Sequence, residues 1–127
     1  MTTIHIAGNI TADPEIRITP NGKTVLEFTI AENHRHTDRE SGEVIEGETT
    51  YWRCEAWDDF AERIAMSATK GNRLMATGRI VTQRYADKDG NKRVRTLIKV
   101  TDVGLSLRWD TAKVDHWELS GPQHNEQ

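Results

Sequence analysis

A single cysteine, Cys54, is all that the 127 residues hold, which excludes an internal disulfide framework and any multi-cysteine zinc site. Proline stands only at positions 14, 20 and 122, and there is no repeat or low-complexity tract. No apolar run approaches the roughly 18 residues that span a bilayer, and the opening MTTIHIAGN has no basic segment leading into an apolar one. Neither a membrane nor a secreted protein is expected, and the context reads as cytoplasmic. Leu, Ile, Val and Phe are also scarce, 25 of 127 residues, but a net charge of only -3 argues against disorder. A chain of 14.5 kDa with this composition is one small domain with a thin core.

The two signs of charge nearly balance overall but separate along the chain. Residues 1–70 carry a net -6, residues 71–108 a net +6 and residues 109–127 a net -3. The field at a surface follows the nearby charges more than the total, so the middle segment can serve as an anion-binding surface despite a pI near 5.9. Charge counting alone barely separates that reading from a solvated strand pair.

What the chain does have is alternation of period two. Thr3 to Ile10 sets Ile4 and Ile6 on one face, and Glu15 to Thr19 does the same with Ile16 and Ile18 before a Pro20-Asn21-Gly22 turn. Thr24 to Ala31 turns Leu26, Phe28 and Ile30 inward, with Glu27 and Thr29 outward. Asn33 to Glu48 is polar and charged and reads as a long exposed loop. A strand over Thr49 to Trp57 follows, then a helix that Asp59 caps, with Glu62 at capping-box spacing. Phe60, Ile64 and Ala68 line one side of that helix and Gly71 ends it. Arg73 to Tyr85, with a bend or bulge at Gly78, and Asn91 to Val103 form a long hairpin around Asp87-Lys88-Asp89-Gly90. The pattern predicts an all-β chain with one short helix, in the order of a five-stranded OB-fold barrel.

Two strands carry the candidate chemistry. Alternation places Tyr51, Arg53, Glu55 and Trp57 on one face and the compact set Trp52, Cys54 and Ala56 on the other. In the last strand, Val94, Thr96, Ile98 and Val100 share a face opposite Arg93, Arg95 and Lys99. Aromatic rings interleaved with arginine suit a surface on which bases stack and phosphates are neutralised. A strand Tyr or Trp is more often core and a lone Arg more often a solvated edge; the clustering on one strand face is what lifts the ligand-binding reading to equal footing.

Gly8-Asn9-Ile10, Asp13-Pro14-Glu15-Ile16-Arg17, Pro20-Asn21-Gly22 and Phe28-Thr29-Ile30-Ala31 resemble the opening of the bacterial single-stranded DNA-binding proteins. The likeness continues through Ser41-Gly42-Glu43, Trp52-Arg53-Cys54, Ala61-Glu62, Lys70-Gly71 and Gly78-Arg79-Ile80, covering residues 3 to about 108. The stretch from Val103 to Trp109, with Thr111-Ala112-Lys113-Val114, is similar to the branch from high-GC Gram-positive bacteria. The resemblance implies an OB barrel over residues 1–108, assembled as a homotetramer that binds single-stranded DNA in replication, repair and recombination, within the cytoplasm at the nucleoid. It implies stacking by Tyr51, Trp57 and Tyr85, with His36 where relatives often carry an aromatic. It also implies phosphate contacts by Arg53 and Lys70. Val81 and Gln83 replace basic residues common in the family, and Arg79, Arg84, Arg93 and Arg95 compensate.

Residues 109–127 form a C-terminal extension, with a subunit-clamping strand expected over Trp109 to Trp117. The chain ends at Gln123-His124-Asn125-Glu126-Gln127, without the acidic tip by which relatives recruit replication and repair enzymes. A trimmed chain and a short paralogue both fit that ending, and recruitment of those enzymes is not expected of these residues. No cofactor and no metal are expected. A metal-dependent enzyme built on His34, His36 and Asp38 has no fourth ligand in view, and a solvated loop accounts better for them. An accessory OB module that binds RNA, or acts through protein contacts in replication restart, is the rival binding reading.

Overall fold

A computed structural model of the chain describes residues 2–116. The strands are β1 (Thr2–Ile10), β2 (Glu15–Ile18), β3 (Thr24–Thr37) and β4 (Val44–Trp57), then β5 (Arg73–Ala86) and β6 (Lys92–Leu105). One helix, α1 (Asp58–Ser67), stands between β4 and β5. They form one sheet in the order β1-β5-β6-β4-β3-β2, and β1 pairs again with β3 through Asn9↔Ala31 and Ile10↔Ile30. Five strands therefore pair in a closed cycle. Only β4 and β6 run parallel within it.

The sixth strand departs from the predicted five. The end of β1 and all of β2 lie along the same edge of β3, with Ile10 opposite Ile30 and Glu15 opposite Glu27. Thr11 to Pro14 interrupt what is otherwise one bent strand, since proline cannot donate to the ladder. Ile16 and Ile18, which share one face of this short edge strand, are both exposed.

Inside the cycle the predicted faces hold. Leu26, Phe28 and Ile30 meet Ile6, Cys54, Ala56, Leu74, Ala76, Ile98 and Val100 in one core, closed at one end by Ala61, Ile64 and Ala68. Gly8 and Gly78 stand where neighbouring strands come closest. A Cβ on Gly8 would strike the Ala31 carbonyl, and one on Gly78 the Lys99 carbonyl. A register shift between Thr77 and Gly78 marks the expected bulge.

Three local expectations are corrected. Asn33 to Glu48 is no loop: β3 and β4 continue as a two-stranded arm, turning over Asp38 to Glu43, with Arg35↔Glu46, His36↔Ile45 and Thr37↔Val44 paired. Both faces of that arm are open to water, so its sequence carries no apolar alternation to reveal it. Asp59 does not cap α1: Trp57 holds the N-cap position in extended conformation and no side chain bonds there. The chain enters instead through Asp58 at φ 59°, a left-handed position that Asp tolerates, and Asp58 and Asp59 favour the helix dipole. The helix ends at Ser67, and Gly71 (φ 91°) shapes the following turn, donating its N–H to the Ile10 carbonyl at 2.9 Å. Among the described residues no helix is long and apolar enough to cross a membrane.

Candidate nucleic-acid interface

The outer surface of β4, β5 and β6 collects most of the predicted residues. The β4 pleat turns Trp52, Cys54 and Ala56 toward the core and leaves Tyr51, Arg53 and Trp57 outside. Tyr51 is 67% exposed and Trp57 36%. Glu55 shares their face but is buried, and Trp57 Nε1 donates to its Oε1 at 3.0 Å. Trp57 is thus both a ring on the surface and the hydrogen-bond partner of a buried carboxylate. Cys54 points inward, and burial pushes its thiol up to about 12, so the thiolate that would react is suppressed.

The β5–β6 hairpin extends beyond the core as a second arm. Its register pairs Tyr85 with Arg93, Gln83 with Arg95, Val81 with Leu97 and Arg79 with Lys99, all on one face. Arg95 is fixed from three sides: its Nε donates to Gln83 Oε1 at 2.7 Å, its Nη2 to Glu27 Oε2 at 3.2 Å, and its Cζ lies 5.6 Å from the Tyr85 ring centre. Glu27 also faces Arg17 at 3.6 Å. Arg93 Nε donates to Asp87 Oδ2 at 2.9 Å. Asp87 also accepts the N–H groups of Asp89 and Asn91, and Arg93 first, then the Asn91 N–H, holds its carboxyl below the usual aspartate value. Arg93 and Arg95 are therefore held by carboxylates of the same chain.

Not all predicted residues meet there. Arg84 stands on the opposite face of the arm, across from Val94. His36 is exposed on the β3–β4 arm, across from Ile45, next to the Arg35–Glu46 pair (3.3 Å). Its neighbour His34 shares a 2.8 Å hydrogen bond with Thr50 Oγ1. Among the described residues no group of three or more His, Cys, Asp or Glu side chains could hold a metal ion. Lys70 lies in the turn after α1, its N–H held by Asp13 Oδ1 at 2.7 Å. The next residue, Gly71, donates its N–H to the Ile10 carbonyl, and Ile10 pairs with Ile30, which pairs with Trp52, so Lys70 stands off the β5–β6 arm on the side of β1 and β3.

Sequence reasoning passed over Glu27, Gln83 and Asp87, which set the arginines in place. Counting outward from the Asp87–Asn91 tip gives the Gln83–Arg95 and Tyr85–Arg93 pairs directly. Glu27 comes from a distant strand and left no such signal.

A sequence model described as the single-strand binding protein family matches residues 1–106. The chain belongs to that family. It is 44% identical over 120 residues to a single-stranded DNA-binding protein of Mycolicibacterium smegmatis, covering 94% of this chain and 73% of that one. It is 42% identical over 123 residues to one from Paenarthrobacter nicotinovorans, covering 97% and 72%. The likeness to high-GC Gram-positive relatives is therefore real. In shape, it resembles the small single-stranded DNA-binding protein from Streptomyces coelicolor (TM-score 0.68, 24% identity, 84% of this chain and 94% of that one). It also resembles the Plasmodium falciparum protein solved with single-stranded DNA (TM-score 0.69, 22% identity, 84% and 95%). These two likenesses concern the fold.

Proposed function

We propose that this family member binds single-stranded DNA with little regard to sequence, protecting strands opened in replication, repair and recombination. The observation that carries the reading is the shared outer surface of β4 and the β5–β6 arm, where the exposed rings Tyr51, Trp57 and Tyr85 stand among Arg53, Arg93 and Arg95. Bases stack on the three rings, each worth about 1–3 kcal/mol and indifferent to base identity because every base has a π-face. His36 adds a weaker platform on the other arm. Phosphates meet Arg53, Arg79, Arg93 and Arg95 on one side and Arg84 on the reverse of the arm. Duplex is left alone because paired bases cannot turn onto rings. The protein acts by binding, not by catalysis, and needs no cofactor. In this reading the closed cycle of strands is the OB barrel and four copies assemble around the DNA.

The carboxylates at Arg93 and Arg95 temper the affinity. A phosphate that engages Arg93 takes the place of Asp87, so the gain is a difference between two ion pairs rather than a full new one. Fluorescence anisotropy tests the reading with a labelled single strand, the matching duplex and an RNA of the same sequence. Tight binding of the DNA strand, loosening with salt, and none of the duplex is expected. Equal binding of duplex, or preference for RNA, would overturn it.

A further inference from the structure

The strand register carries one row of charged side chains straight across the outer face. Glu15 on β2 stands opposite Glu27 on β3, and Glu27 opposite Glu55 on β4. Glu55 lies beside Lys99 on β6, which faces Arg79 on β5. Residues directly opposite in a sheet share a face, and like charges so placed repel. Three carboxylates thus stand side by side on a surface proposed to hold a polyanion, an arrangement that needs cations and donors around it. Glu55 is buried and takes the Trp57 N–H. Glu27 draws two guanidiniums onto one oxygen: its Oε2 lies 3.6 Å from Arg17 Nη2 and 3.2 Å from Arg95 Nη2.

This meeting point differs from the other ion pairs between described residues. Arg35–Glu46 and Arg93–Asp87 are one to one, whereas the cations of β2 and β6 reach Glu27 from opposite sides of β3. A guanidinium fork matches phosphate as well as carboxylate, so what receives this acid can receive a phosphodiester. The contact is open to exchange: the Glu27 and Arg17 side chains are 31% and 62% exposed, and ion pairs with that much water around them are weak. Arg95 keeps two further supports when Glu27 withdraws, Gln83 Oε1 at 2.7 Å and the Tyr85 ring at 5.6 Å. The place also lies between two rings, since Tyr85 packs on Arg95 and Trp57 is bonded to Glu55, the residue opposite Glu27.

We propose that Arg17 and Arg95 form a seat for one backbone phosphate of the single strand, between bases stacked on Trp57 and Tyr85, and that Glu27 fills this seat in the free protein and yields it to DNA. The inference rests on the single-strand binding proposed above and extends the contact surface onto β2, through an arginine that charge counting along the chain passed over. It also makes the salt dependence of the wild type shallower than its number of arginines implies, because a phosphate arriving here replaces an anion already in place.

The test uses the full chain, with poly(dT) and inorganic phosphate as separate probes. In nitrogen-resolved spectra the Nε–H signals of Arg17 and Arg95, assigned by Arg17→Lys and Arg95→Lys, are expected to move together when poly(dT) is added to the wild type. Glu27→Gln keeps the size of the side chain and removes its charge. It is expected to bind poly(dT) about threefold tighter, the size of one exposed ion pair that no longer has to be broken. Its salt slope is expected to be steeper by about 0.7, one further phosphate neutralised on a single strand. Arg17→Ala is expected to weaken binding more in the Glu27→Gln background than in the wild type, where the same arginine also loses its carboxylate. If the wild type binds poly(dT) while the Arg17 and Arg95 signals stay put, there is no seat and only this inference falls; that reading needs neither Glu27→Gln nor Arg17→Ala to fold. If Glu27→Gln binds more weakly, or equally with an unchanged slope, Glu27 is a strut for Arg95 and the inference is likewise overturned. Inorganic phosphate that moves both signals as far as poly(dT) does would make this a free-anion site and overturn it too. A wild type that ignores poly(dT) altogether would remove the proposed function itself.

Discussion

The two arms are continuations of four of the five strands that make the closed cycle, yet arms and cycle follow different rules. Along β3 the residues Leu26, Phe28 and Ile30 are buried, whereas from His34 to Thr37 both faces are open. Along β5 the change comes after Ile80, and at Tyr85 neither face is covered. Burial fixes register in the cycle. In the arms register is kept by hydrogen-bonded turns and by side-chain pairs such as Arg95–Gln83, Arg93–Asp87 and Arg35–Glu46. The cycle can therefore be stiff while the arms stay adaptable, which is what a surface for an irregular polymer needs.

The contrast can be broken from the inside first. Leu26, fully buried in the cycle, should cost about 2–5 kcal/mol when replaced by Ala. Denaturant unfolding checks this, and Cys54, unreactive in the folded protein, should become open to alkylation at lower denaturant in the variant. Next comes Tyr51→Ala, which removes an exposed ring. It should weaken single-strand binding by about 1–3 kcal/mol and leave the melting temperature nearly unchanged. Trp57→Ala should lose a similar amount of binding but also destabilise the fold, because the buried Glu55 loses the N–H at 3.0 Å. Parallel melting and binding curves for the two variants separate surface from joint.

Smaller effects belong to the arm's charges. Arg84→Ala should reduce the salt slope of binding by about one with little change in stability; an unchanged slope would remove it from the phosphate contacts. At the tip, Asp87 has its folded value below the unfolded one. Its contribution is therefore present above the unfolded value and lost as pH falls through the lower, folded one. The β5–β6 tip should loosen only in acid, seen as faster amide exchange at Asp89 and Asn91. Asp87→Asn should show that loosening at neutral pH.

Legibility in the sequence follows the same division. Inside the cycle, Leu26/Phe28/Ile30 and Trp52/Cys54/Ala56 alternate against a buried face, so period-two reading found both the strands and the outward set Tyr51, Arg53 and Trp57. The arm over 33–48 was hidden because nothing covers either of its faces. Glu55 was read as simply outward, but it is buried, flanked by Glu27 on β3 and Lys99 on β6 and bonded to Trp57 Nε1, which alternation along one strand does not reveal. Arg84 was grouped with Arg79, Arg93 and Arg95 by charge, though it stands one residue along the strand from Tyr85 and so on the opposite face of the arm. The partners of Arg95 lie on two other strands, and only the closed pairing brings Glu27 within 3.2 Å.

The central claim is that exposed rings on a stiff cycle and its arm hold single strands by stacking. Tryptophan fluorescence on titration with poly(dT), at low and high salt and with duplex as control, tests it most directly. Deep quenching by the single strand alone, shallower in Tyr51→Ala and Trp57→Ala and shifted to weaker binding by salt, is the predicted result. A wild-type signal that poly(dT) leaves unchanged, or that duplex quenches equally, would contradict it.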